Sequence, residues 1–89
     1  MELSELGSLN FPCEFPIKII GIQSPDFERE ITSILLRHVP DLLPENVVNR
    51  PSSAGKYLAI SATFVAQTRE QVDNLYIELT RNPQVKFVI

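Results

Sequence analysis

Arg50-Pro51-Ser52-Ser53-Ala54-Gly55-Lys56-Tyr57 lies between two runs with strand periodicity and so places a chain reversal in the middle of the sequence. On its far side Lys56–Ala66 alternates cleanly. Leu58, Ile60, Ala62 and Phe64 form an apolar face, and Tyr57, Ala59, Ser61, Thr63 and Val65 form a milder one. On its near side Glu45–Arg50 reads as a short strand ended by Pro51, which suits an edge strand or a strand end. A hairpin fixed at mid-chain leaves each half of the sequence to supply the helices and strands that cover it.

The first half does so with Glu14–Ile22, a strand rich in β-branched residues, in which Phe15, Ile17 and Ile19 share one face and Lys18, Ile20 and Ile22 the other. Ser24-Pro25-Asp26 then has the makings of a helix start: a hydroxyl at the N-cap, proline at the first helical position, and a carboxylate near the positive end of the dipole. Phe27, Ile31, Ile34, Leu35 and His38 follow at helical spacing, and Pro40 prevents continuation. In the second half Thr68-Arg69-Glu70-Gln71 matches a capping box, and Val72, Leu75, Tyr76 and Leu79 make a stripe that Asn82-Pro83 stops. Val85–Ile89 is a final strand.

The order β-α-β-β-α-β predicts an α+β, ferredoxin-like sandwich: a four-stranded antiparallel sheet with two helices on one face. Right-handed crossovers put the first and third strands in the middle, with the second beside the third and the fourth beside the first. Ile17, Ile19, Leu58, Ile60, Phe64, Val85 and Phe87 are then expected beneath the helices. Lys18, Ile20, Ile22, Tyr57, Ala59, Ser61, Thr63, Lys86 and Val88 are expected on an open face, a mixed apolar surface that either marks association or is simply wet or covered by residues 1–12.

At 89 residues there is room for one core, so residues 13–89 read as one domain preceded by an arm over 1–12 that carries Leu3, Leu6 and Leu9. The net charge of −3 disfavours nucleic acid, whose phosphates need a concentrated basic face. A single cysteine, Cys13, excludes an intrachain disulfide and a cysteine-based zinc site. The acidic start lacks the features of a signal peptide, and no apolar run has membrane-spanning length, so a cytoplasmic location without membrane contact is expected.

Two stretches have the ingredients of an anion site. In the first, backbone N–H groups around Gly55, the hydroxyls of Ser52 and Ser53, and the cations Arg50 and Lys56 beside Tyr57 can hold a phosphate or carboxylate; the same residues equally serve a plain chain reversal. In the second, Gly21 and Ser24 in the turn Gly21–Asp26 precede a helix N-terminus that can receive a carboxylate, or are needed only for backbone geometry and capping. Gly55–Ile60 echoes the third strand of an RNA-recognition motif, but only Tyr57 would stack on a base. His38, the only histidine, has no acid or nucleophile fixed beside it by sequence and reads as a partner of the helix dipole. No catalytic grouping emerges, and neither a metal nor a cofactor is expected.

Several of these residues also carry a family resemblance. Pro51-Ser52-Ser53-Ala54-Gly55-Lys56-Tyr57 fits a Pro-Ser-Ser-x-Gly-x-Tyr signature, His38-x-Pro40 ends the first helix, Phe11-Pro12 precedes the first strand, and Gln71-Val72 with Leu75-Tyr76-x-x-Leu79 fits the second helix. On these the chain resembles the YbeD-like family of small bacterial proteins. The resemblance implies a fold similar to ACT domains, the amino-acid-sensing modules of metabolic enzymes, whose ligands bind near the first strand–helix turn, here Gly21–Asp26. The fuller glycine-plus-acidic pattern of amino-acid-binding members is absent. The expected function is a non-catalytic regulatory or adaptor domain that meets a protein partner, or a second copy of itself, through the open face or the Arg50–Tyr57 stretch. The alternative is a sensor of an amino acid or other organic anion.

Overall fold

A computed structural model describes residues 10–89; the first nine residues of the expected arm lie outside them. The elements are β1 (Cys13–Ile22), α1 (Pro25–His38), a 3-10 turn (Pro44–Asn46), β2 (Val47–Pro51), β3 (Tyr57–Ala66), α2 (Arg69–Arg81) and β4 (Val85–Val88). All strand pairs are antiparallel in the order β2-β3-β1-β4. The fold is the ferredoxin-like βαββαβ sandwich, with the strand order that the crossover rule requires.

Each helix begins as its sequence dictates. Ser24 Oγ accepts from Phe27 N–H at 3.0 Å, and Thr68 Oγ1 accepts from Gln71 N–H at 3.1 Å. Gln71 answers with a twist on the expected box. Its Oε1 accepts from Gln67 N–H at 2.7 Å, one residue before the cap, and its Nε2 donates to the His38 carbonyl at 2.8 Å, tying the start of α2 to the end of α1.

Phe27, Ile31, Ile34 and Leu35 of α1 and Val72, Leu75 and Leu79 of α2 bury against Phe15, Ile17, Ile19, Leu58, Ile60, Ala62 and Phe64 of the central strands. Phe15 pairs with Phe64 across the sheet, their ring centroids 5.8 Å apart. Every side chain in this core is apolar.

Two expectations need correction. The second strand does not start at Glu45: Pro44 opens a 3-10 turn closed by Asn46 N–H on the Leu43 carbonyl at 2.9 Å, and pairing begins at Val47. In β4 Val85 packs against the core as expected, but Phe87 and Val88 exchange faces. Val88 is 9% exposed and Phe87 is 53% exposed, the reverse of simple alternation from Val85. The cause is a break in the β1–β4 register between Ile20 and Gly21: Ile20 pairs with Phe87 but Gly21 pairs with Val85, so Lys86 is an extra residue. A bulge of this kind shifts the side-chain parity of everything beyond it.

The even-numbered residues of β1 turn their backbone groups toward β4. Lys18 donates to the Ile89 carbonyl at 3.1 Å and accepts from Ile89 N–H at 2.8 Å, and Ile22 N–H donates to the Gln84 carbonyl at 3.2 Å. Pro16 falls on that side, beyond the reach of β4, so its missing N–H leaves no pairing partner unsatisfied.

Candidate functional site

The face of the sheet away from the helices is laid out by the register. One row across the strands is Val48, Ser61, Lys18, Ile89; the next is Arg50, Ala59, Ile20, Phe87; Tyr57 and Ile22 follow at one end, and Thr63 with Pro16, then Val65 with Glu14, at the other. Small side chains (Ala59, Ser61, Thr63 and Pro16) therefore floor the middle of this face. Larger apolar groups rise toward its margins: Val48 and Val65 are 54% exposed, Phe87 53% and Ile89 50%. A shallow depression of about 290 Å³ lies over the floor, between Lys18, Ser61, Thr63 and Ile89. Lys18 and Arg50 are the cations of these rows, and neither makes an ion pair among the described residues.

The hairpin and the β1–α1 turn meet at one end of the sheet, where Gln23 N–H donates to the Lys56 carbonyl at 3.0 Å. Their polar groups are largely engaged with each other. Ser52 closes the hairpin three ways: its N–H donates to the Tyr57 carbonyl at 2.8 Å, its hydroxyl accepts from Tyr57 N–H at 3.1 Å, and its carbonyl accepts from Gly55 N–H at 2.9 Å. Gly55 takes φ +71, the left-handed conformation that lets the turn close, with open space around it. Lys56 places its ammonium 5.5 Å from the Tyr57 ring centroid. Ser53 is exposed on the turn, while Arg50 stands on the sheet face, so the expected cluster of hydroxyls and cations does not converge on one point.

Ser24 is also engaged twice, accepting from Phe27 N–H and donating to Gln84 Oε1 at 3.2 Å. Gly21 is buried against the ring of Phe27 and the Gln84 carbonyl, both of which a Cβ would strike. The turn is filled by the protein's own side chains, and a network continues from it: Glu30 accepts from Asn82 Nδ2 at 2.9 Å and from Gln84 Nε2 at 3.4 Å.

Sequence reasoning missed a cluster at the other end of the helices. Glu78 of α2 accepts from Arg37 and contacts His38 Nε2 at 2.7 Å. The hydrogen bond from His38, with help from Arg37, holds the Glu78 carboxyl below its ordinary range despite some desolvation. Glu78 lies about one helical turn beyond Leu75 on α2, and the only signal for the pairing was that α1 and α2 must run side by side. Arg29, Ser33 and Arg81 join this cluster along an exposed groove of about 530 Å³ between the helices. No group of three potential metal ligands occurs among the described residues, and no helix there is long and apolar enough to cross a membrane.

These features define a ferredoxin-like domain whose sheet face is open, and whose loops are self-satisfied, among the described residues. The chain belongs to the family described as "Protein of unknown function (DUF493)", whose model matches residues 7–89. Similar relatives include the UPF0250 protein of Chromobacterium violaceum, 44% identical over 89% of both chains, and that of Leptothrix cholodnii, 42% identical over 96% of this chain and 93% of that one. Among solved structures, protein HP0495 from H. pylori matches with a TM-score of 0.74 at 8% identity over 92% of this chain and 86% of that one. The ACT domain from GTP pyrophosphokinase of Chlorobium tepidum matches with a TM-score of 0.69 at 14% identity, covering 85% and 94%. At such identities the likeness is one of fold.

Proposed function

We propose that this chain is a non-catalytic interaction module that regulates or recruits a protein partner through the open face of its sheet. One observation carries the reading. In a chain of 89 residues, Ile22, Val48, Tyr57, Val65, Phe87 and Ile89 all expose a large part of an apolar side chain on the same face, around a floor of small residues. Scattered exposed hydrophobics are ordinary, whereas a contiguous group marks a surface that is covered in use. Arg50 extends the face toward the hairpin. The sensor alternative draws less support, because the hydroxyls of Ser24 and Ser52 and the space beside Gly21 are already occupied.

The test is capture of a partner by the tagged full chain from lysate of its own cells. Ile20→Asp and Phe87→Asp each place a carboxylate on the face and should abolish capture. Leu36→Asp, on the exposed side of α1, should leave it intact. Capture that survives both face substitutions would refute the proposal.

A further inference from the structure

We infer that the occupant of the open face is an acidic amphipathic helix of a partner protein, held by its apolar stripe in the central trough and by its flanking carboxylates on Lys18 and Arg50. This rests on the reading of the face as a docking surface and adds the chemistry of what docks there.

The shape of the face suits a helix. The floor runs along β3 and β1, where Ala59, Ser61, Thr63 and Pro16 stand low around Lys18 and Ile20, and the rims run along β2 and β4, where Val48 and Phe87 with Ile89 are exposed. Strands lie about 4.8 Å apart, so the outer two of four are separated by about 14 Å, which accommodates a helix about 10 Å across. An added strand would instead pair at an edge, and it would leave the floor uncovered.

The charge of the face suits an acidic partner. The chain is acidic overall, yet its carboxylates are segregated. Lys18 sits in the middle of the face and Arg50 on its β2 rim, whereas Glu14 stands at the far end beside Val65; every other described side-chain carboxylate lies on a helix or a connecting segment. A partner helix with glutamates beside its apolar stripe would complement both cations. A second copy fits less well: a two-fold axis through the centre of the face would bring the Lys18 side chains of the two copies together.

The experiment uses two synthetic helices of about 18 residues, five turns, that share one leucine stripe. One flanks the stripe with glutamates and the other with lysines, and each is titrated into the isotopically labelled full chain. The glutamate-flanked helix should move the amide signals of Lys18, Ile20, Ala59, Ser61 and Phe87 and bind about tenfold more tightly than the other. The preference should fade with added salt. The double variant Lys18→Glu and Arg50→Glu changes two exposed side chains, should keep the native circular dichroism, and should reverse the preference.

Equal binding of both helices, shifts confined to α1 and α2, or no shifts at all would overturn the inference. So would face signals that move with the chain's own concentration, which would make a second copy the occupant. Signals that move on deletion of residues 1–9 would likewise overturn it in favour of the chain's own N-terminus. If the peptides fail while Phe87→Asp still abolishes partner capture, the docking face stands and only the acidic chemistry falls. If Phe87→Asp leaves capture unchanged as well, both readings fall.

Discussion

Gly21→Ala is the smallest substitution that tests the packing at the β1–α1 turn. Gly21 lies at the register break with β4, and a Cβ there would press on the ring of Phe27 and on the Gln84 carbonyl, closer than any normal contact. Neither obstacle yields easily. Phe27 is wholly buried in the core, and the Gln84 carbonyl is held by Ile22 N–H at 3.2 Å, so moving it opens the β1–β4 junction. Overpacking a tight site costs ~1–3 kcal/mol, and two rigid obstacles put this one near the upper figure. Alanine restricts the unfolded chain and returns about 0.4–1 kcal/mol, leaving a net loss of about 2 kcal/mol. For a domain of this size that lowers Tm by roughly 8–16 °C.

Thermal and urea unfolding of the purified variant measure it, with an unchanged urea slope showing that stability alone has moved. Because two of the blocking atoms belong to the Phe27 ring, the same alanine should cost less in a Phe27→Leu background, with a coupling of about 1 kcal/mol. An unchanged or raised midpoint for Gly21→Ala would refute the steric account. An identical loss in both backgrounds would place the whole clash on the carbonyl.

Gly55→Ala should cost about 1 kcal/mol for a different reason, the positive φ alone, and Gly55→Asn less, because asparagine tolerates the left-handed region; urea midpoints of the two variants decide it. The bulge in β4 predicts that Val88→Ser loses about 2 kcal/mol while Phe87→Ser stays within about 0.5 kcal/mol; the opposite ranking in urea unfolding would restore simple alternation. Glu78 has a carboxyl pKa lowered in the folded state, so its contribution is present above the ordinary glutamate range and is lost as pH falls through the lowered value. Stability followed from neutral to acid pH should therefore fall less in Glu78→Gln than in the parent, and parallel curves would contradict this.

Most of the architecture could be read from the chain because each element carried its own local signals. The alternation of Leu58, Ile60, Ala62 and Phe64, the caps at Ser24 and Thr68, and the stops at Pro40 and Pro83 are all set within a few residues, and strand order follows from handedness once the elements are known. What escaped was decided across the sheet or between helices. The extra residue at Lys86 exists only relative to β1, so four residues of β4 read alone assign Phe87 and Val88 to the wrong faces. The contact of Glu78 with His38 spans 40 positions and depends on how the helices are set against each other. The candidate loops show the same limit: Ser52 is consumed by Tyr57 only because of the hairpin's closure, and Gln84 meets Ser24 only through the fold. Ser24 did hold a clue, since an N-cap hydroxyl has already committed its acceptor.

The placement of Pro16 bears on whether this sheet can grow at its edges. An open apolar face is one ingredient of stacked, self-propagating sheets, and a free strand edge is the other. Among the described residues, β4 leaves the first half of β1 without a neighbour, which is where an edge would recruit a strand from another molecule. A strand arriving there would find no donor at Pro16, and one arriving at the opposite edge would run into Pro51 at the end of β2. With a proline on each border, the sheet can keep an apolar face exposed without offering the ladder on which a fibre could grow.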